Sequence, residues 1–140
     1  MSAKYFFLWV LLIGGFTFGY GKLTESVLSQ NPVKTAVLID TSFEMKKAED
    51  RIRERLLEIS KRRYRNFYLL TDKELLLSDS PVLDPTIQFK FYGSFSIQDL
   101  ADINRYPFLK TAKEIIVITD NKNSKGIQQR IPGATVIELN

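Results

Sequence analysis

The first pattern along the chain is a run without polar interruptions. Residues 5–20 (YFFLWVLLIGGFTFGY) carry no charge, with Lys4 before them and Lys22 after. As a helix rising 1.5 Å per residue the run covers about 24 Å, and residues 1–3 and 21–23 extend it toward the ~30 Å of a hydrocarbon core. Tyr5, Trp9 and Tyr20 are residue types that settle at membrane interfaces. A basic start, an apolar run and small residues at Gly19 and Gly21 also follow the order of a cleaved signal peptide. The length of the bulky run, and Tyr20 between those glycines, favour a retained anchor over residues 1–23. Lys4 with the amino terminus outweighs Lys22, so the positive-inside rule places the rest of the chain outside the cytoplasm.

Residues 24–32 are polar and unpatterned, close on Gln30-Asn31-Pro32, and read as a linker. From residue 33 short apolar runs alternate with helical periodicity, which predicts one α/β domain over 33–140. Residues 33–40 (VKTAVLID) are expected as a central strand buried on both faces. Over 44–65, Met45, Ala48, Ile52, Leu56 and Ile59 recur at three- and four-residue steps and predict a helix packed on the sheet. Arg62, Arg63 and Arg65 at its end are expected to oppose the negative pole of the helix dipole. Residues 66–71 predict a second strand, and 87–92 (IQFKFY), strictly alternating, a third at the sheet edge with one wet face. Between them Leu75-Leu76-Leu77 is expected to extend a hairpin arm. Ser96 is the expected cap of a helix over 96–106, with Asp99 as its capping-box partner and Pro107 as its stop. Residues 114–120 (EIIVITD) predict a buried strand, 125–130 a short helix and 135–139 a last strand. The succession predicts an α/β fold: a three-layer Rossmann-like sandwich with a mostly parallel central sheet and right-handed crossovers, preceded by one N-terminal transmembrane helix.

Composition narrows the chemistry. The 140 residues carry a formal charge of +4, and one cluster, Lys61, Arg62, Arg63 and Arg65, equals that excess. The positive charge is thus local and does not favour nucleic acid as a partner. With no Cys and no His, thiol nucleophiles, imidazole bases and Cys/His zinc sites are excluded. Phosphate-loop, dinucleotide and Gly-x-Ser-x-Gly elbow motifs are also absent from the sequence. Carboxylates, hydroxyls, Lys and Arg remain.

In open parallel sheets ligands bind beyond the carboxyl ends of the strands. Three such segments are expected to converge: Asp40-Thr41-Ser42-Phe43-Glu44, Gly93-Ser94-Phe95-Ser96 and Thr119-Asp120-Asn121. Their oxygens are of the kind that Mg²⁺, Mn²⁺ or Ca²⁺ takes. An alternative use of the same residues is purely structural. Thr41 and Glu44 have capping-box spacing, and Asp40 and Asp120 can accept bonds from backbone donors at helix starts.

In this order of strands and motifs the chain resembles the von Willebrand factor type A domains, in shortened form and over nearly all of 33–140. The family's metal site has Asp-x-Ser-x-Ser after its first strand, a Thr after a glycine in a middle loop, and a late Asp usually followed by Gly. Asp40 and Ser42 match the first two positions, Ser94 or Ser96 stands for the Thr, and Asp120 matches the late Asp. Glu44 replaces the final Ser of the motif and Asn121 the usual Gly. The resemblance therefore implies Mg²⁺ or Mn²⁺ at Asp40, Ser42, Glu44, Ser94, Ser96 and Asp120, with Glu44 filling the position that would otherwise attract a partner's acid.

The function expected is a non-enzymatic, membrane-anchored binding or scaffolding module that engages another protein of an envelope assembly. Two alternatives stand beside it. One is a PIN-like metal-dependent nuclease using Asp40, Glu44, Asp102 and Asp120, because Val-Leu-Ile-Asp-Thr-Ser with a later Thr-Asp is similar to that family's strand-end acids. The other is a structural subunit with no ligand site.

Overall fold

Three runs rich in β-branched residues and leucine lie side by side in the middle of the structure, a computed structural model that describes residues 3–139. They are β1 (Val33–Ile39), β2 (Arg65–Thr71) and β4 (Glu114–Thr119); β3 (Leu75–Ser80) and β5 (Thr135–Glu138) complete one five-stranded sheet. The order is β3-β2-β1-β4-β5. β1 pairs in parallel with β2 and with β4, Ile39 lying opposite Thr71 on one side and Ile118 on the other. β5 is parallel to β4, and β3 is antiparallel to β2. The unbroken apolar run of β1 thus occupies the centre, where both faces are buried.

Because strand side chains alternate, each central strand feeds two cores. Val37, Ile39, Phe67, Leu69, Ile116 and Ile118 pack with Met45, Ala48, Ile52, Leu56 and Ile59. The latter five come from a 3-10 turn, Phe43–Ala48, and from α2, Glu49–Ser60. Ala36, Leu38, Leu70 and Val117 pack instead with Leu100, Tyr106, Leu109 and Ile127. Leu100 belongs to α3 (Ile97–Leu100), Leu109 to a 3-10 turn (Pro107–Lys110) that Tyr106 immediately precedes, and Ile127 to α4 (Asn121–Arg130).

The chain divides after Pro32 into two compact units. The first is α1, Ala3–Gln30, a 28-residue helix spanning about 42 Å. Over residues 5–20 it carries no charge on any side, its last two turns are polar, and none of its described side chains is buried. It is long and apolar enough to cross a membrane, a property shared with signal sequences. The stretch expected as an unpatterned linker is helical as far as Gln30, since residues 22–30 contain neither Gly nor Pro. Pro32 ends it by disfavouring the helical conformation at Asn31.

Several expectations over the second unit need correction. The segment 87–92 is not in the sheet. Ile87, Phe89 and Phe91 do alternate toward the core, packing on the α2 side, but the backbone finds other partners. Arg53 Nη1 donates to the Pro85 and Ile87 carbonyls (2.9 and 3.1 Å), and Tyr92 N–H to the Thr41 carbonyl (3.1 Å). Alternation marks a half-buried chain, and the edge beside β2 is already taken by β3. The helix expected over 44–65 begins as the 3-10 turn and ends at Ser60, and that over 96–106 keeps a single α turn. Arg62 and Arg65 do not cap a helix. Both bind Glu114 at the start of β4, Arg62 at 2.6 Å, and Arg65 also donates to Thr35 Oγ1 (2.9 Å).

Candidate functional site

β1, β2 and β4 lie side by side and each is followed at once by an acid: Asp40, Asp72 and Asp120. Asp40 is fully buried. Its Oδ1 accepts from Ser42 N–H (2.8 Å), and its Oδ2 accepts from Thr119 Oγ1 (2.9 Å) and the Asn123 side-chain amide (3.3 Å). Asp40 therefore ties the end of β1 to the end of β4 and to the first turn of α4.

Asp72 ties β1 to the other side. Its Oδ1 accepts from both Thr41 N–H (3.1 Å) and Thr41 Oγ1 (2.8 Å). Its Oδ2 is paired with Lys73 and accepts from Ser96 N–H (3.4 Å). The Lys73 ammonium also donates to the Ser94 carbonyl (3.2 Å) and lies over the Tyr92 ring. Below these loops Tyr106 is buried, which holds its hydroxyl above the usual tyrosine range; Arg105 opposes the rise, and Asp99, Asp102 and Asp72 add to it.

The expected capping box is not formed. Thr41 gives its hydroxyl to Asp72, and the residue preceding the 3-10 turn is Ser42, whose side chain caps nothing. Glu44 turns outward to Lys122 (3.3 Å). Asp120 does act as a helix cap, accepting from Asn123 N–H (3.0 Å), and Ser96 caps α3 by accepting from Asp99 N–H (3.3 Å). Asp102 accepts from Asn104 and Arg105 N–H within its own turn.

Ser42, Glu44 and Ser94 come together with Phe43, Gly93, Phe95 and Asn123 around an open cavity of about 480 Å³. Gly93 has a positive φ of 67°, a conformation cheap for glycine, and its carbonyl accepts from Phe43 N–H (3.1 Å). That bond and the Tyr92–Thr41 bond hold the 93–95 segment against the loop after β1. Phe43 is 68% exposed. Ser42 is 5% exposed, and among the described residues its Oγ is the buried side-chain oxygen without a hydrogen-bond partner.

Of the six candidate residues, three therefore line the cavity, Asp40 is buried with its carboxylate on the Ser42 backbone, and Ser96 and Asp120 serve as helix caps. Asp72 and Asn123 escaped the sequence reading. Asp72 carries the same signal as the other two acids, an apolar run closed by an acid, and like Asp120 it follows a Thr (LLTD). Nothing local distinguishes Asn123. For a hard cation the donors are right in kind, all oxygen, with the free Ser42 hydroxyl next to the Asp40 loop. Among the described residues no group of three acids stands close enough to hold a metal ion. Comparison with models of known families, with curated proteins and with solved structures gives no match for this chain.

Proposed function

We propose that this chain is a membrane-anchored protein-binding module: α1 holds it in a bilayer, and the loops beyond β1, β2 and β4 present a recognition surface outside the cytoplasm. The α/β unit is read as a shortened von Willebrand type A-like, three-layer sandwich. Core clusters on both faces of a largely parallel sheet support that reading.

The observation that carries the proposal is the strand-end cavity. An exposed phenyl ring at Phe43 stands beside a desolvated, unpartnered hydroxyl at Ser42, and both lie on loops tied down by buried carboxylates. A large apolar ring in water next to an unmet polar group is stabilised by a partner that covers both. The test is a photo-crosslinking residue at position 43 of the full chain in its native membrane. A discrete protein adduct is expected there, and none from the same residue at Leu57, an exposed apolar position on α2. Adducts equal at both positions, or absent at 43, refute the reading.

Metal assistance is favoured by one feature, the free Ser42 hydroxyl adjoining Asp40. Asp40 and Ser42, with Glu44 and Ser94 across the cavity, are the residues that would hold Mg²⁺ or Mn²⁺, and the ion would supply a charge for a partner's oxygen. This second reading expects a rise in melting temperature of the full chain with millimolar Mg²⁺, lost in Ser42→Ala, and fails if the melting temperature does not move. The nuclease alternative has less support, because the Asp102 carboxylate is occupied within its own turn.

A further inference from the structure

The cavity walls select for one sign of charge. Of the side chains that line it, Glu44 is the ionised one, accompanied by the Ser42 and Ser94 hydroxyls, the Asn123 amide, and the rings of Phe43 and Phe95. The wider end of the sheet is negative too. The loops and first turns after β1, β2 and β4 hold Asp40, Glu44, Asp72, Glu74 and Asp120 against Lys46, Lys47, Lys73 and Lys122, one acid in excess on a protein whose overall formal charge is +4. Arg105, whose guanidinium rests on the Lys73 carbonyl, is offset by Asp99 and Asp102 on the same segment.

The Lys73 and Lys122 ammonium groups are not equivalent. Lys73 is largely enclosed, held by Asp72 and the Ser94 carbonyl. Lys122 does reach Glu44, but at 3.3 Å and with both side chains mostly in water. An exposed pair of that kind contributes little and is easily exchanged. Glu44 is thus a carboxylate at a cavity wall with a weak, replaceable partner, and two phenyl rings lie beside it.

We infer that the cavity receives a lysine or arginine side chain of the partner protein, its cationic head between Glu44 and the Ser42 hydroxyl and its methylenes against Phe43 and Phe95. The volume suits one long side chain: about 480 Å³ falls within the range of small-ligand sites. The rings add a cation–π attraction and the apolar surface that such a stem covers. The serine oxygen, enclosed and without a donor in the free protein, gains one when its hydroxyl turns toward the cavity that Ser42 lines. The inference rests on the protein-binding proposal and deepens it by naming the chemistry of the group received.

The test is an amide NMR titration of the full chain in detergent micelles with N-acetylarginine amide, N-acetylglutamate amide and Mg²⁺ as separate probes. The arginine probe is expected to give saturable shifts at Ser42, Glu44, Gly93 and Ser94. Glu44→Gln is expected to weaken it at least fivefold. Lys122→Ala, by removing the competing ammonium, is expected to tighten it by up to about fivefold. Both residues are exposed, so neither variant threatens folding. The inference is overturned by an absence of saturable shifts with arginine, by equal affinity in Glu44→Gln, by glutamate binding as tightly, or by shifts with Mg²⁺ where arginine gives none. A protein adduct retained at position 43 alongside any of these would sink the cationic side chain and spare the binding proposal; loss of the adduct would sink the latter.

Discussion

Replacing Asp72 by alanine removes the acceptor that joins three loops. Thr41 N–H and Thr41 Oγ1 both lose their partner, and Thr41 is 1% exposed, so water does not replace it. A buried polar group left unsatisfied costs about 1–3 kcal/mol, so the two together remove about 3–5 kcal/mol once partial relaxation is allowed. The Ser96 bond at 3.4 Å is long and adds little, and Lys73 keeps the Ser94 carbonyl as a second acceptor. Against a typical total of about 5–15 kcal/mol this is a large share, and it corresponds to a fall in melting temperature of about 15–30 °C for a domain of this size. The assay is thermal unfolding of the full chain in micelles, followed by near-UV circular dichroism, with the urea midpoint as a second measure. Asp72→Asn keeps an oxygen for Thr41 and is expected to lose less than half as much, and the exposed Glu44→Gln almost nothing. If Asp72→Ala melts within about 3 °C of the wild type, the carboxylate does not hold these loops and the account of the site's rigidity is wrong.

Phe67→Ala empties a fully buried position on β2 and is expected to cost about 3–5 kcal/mol by the same melt. Glu114→Ala releases Arg62 and Arg65 together; because these groups are partly exposed, the loss expected is about 1 kcal/mol, read from the urea midpoint. Gly93→Ala meets no atom within 4 Å but must adopt φ +67°, so a destabilisation of about 1 kcal/mol comes from backbone strain alone. Burial raises the hydroxyl pKa of Tyr68, with Asp79 adding to the shift, and burial also raises that of Tyr106. The folded state therefore prefers the neutral phenols: their contribution to stability is complete below the ordinary value of about 10 and is lost as pH rises through it toward the folded values. Tyrosinate absorbance in an alkaline titration should show two tyrosines ionising late, in step with unfolding, and Tyr68→Phe should remove one of them.

The parts of the fold that are legible in the sequence are those where burial alone decides. β1, β2 and β4 follow from apolar runs, and Met45, Ala48, Ile52, Leu56 and Ile59 from a helical stripe, since these are buried in the core; the half-buried β5 follows from Val136 and Ile137. Segment 87–92 shows where the signal stops: Phe89 and Phe91 report a buried side but not which backbone supplies the hydrogen bonds, and here an arginine side chain does. The arginines after α2 mislead for a similar reason, because Glu114 lies far away in sequence and only the β1–β4 pairing brings it near. At the site, Asp40 and Asp120 are readable one by one as strand-end acids, and Asp72 carries a like signal. Their joint architecture is not, since the Asp40–Asn123 and Thr41–Asp72 bonds depend on tertiary placement.

β1 follows α1 after only Asn31 and Pro32, yet both its neighbours come later in the chain: β2 begins at Arg65 and β4 at Glu114. The strand that ends at the centre of the sheet is therefore synthesised first and stays unpaired longest. Parallel pairing of such separation is slow, because loop closure precedes any reward from contact. Until Arg65–Thr71 has been made VKTAVLI presents two open edges, and until Glu114–Thr119 has been made one stays open, an aggregation hazard during synthesis. Truncations anywhere before β4 would leave this strand exposed and should accumulate as insoluble chains, whereas loss of β5 removes only an outer partner.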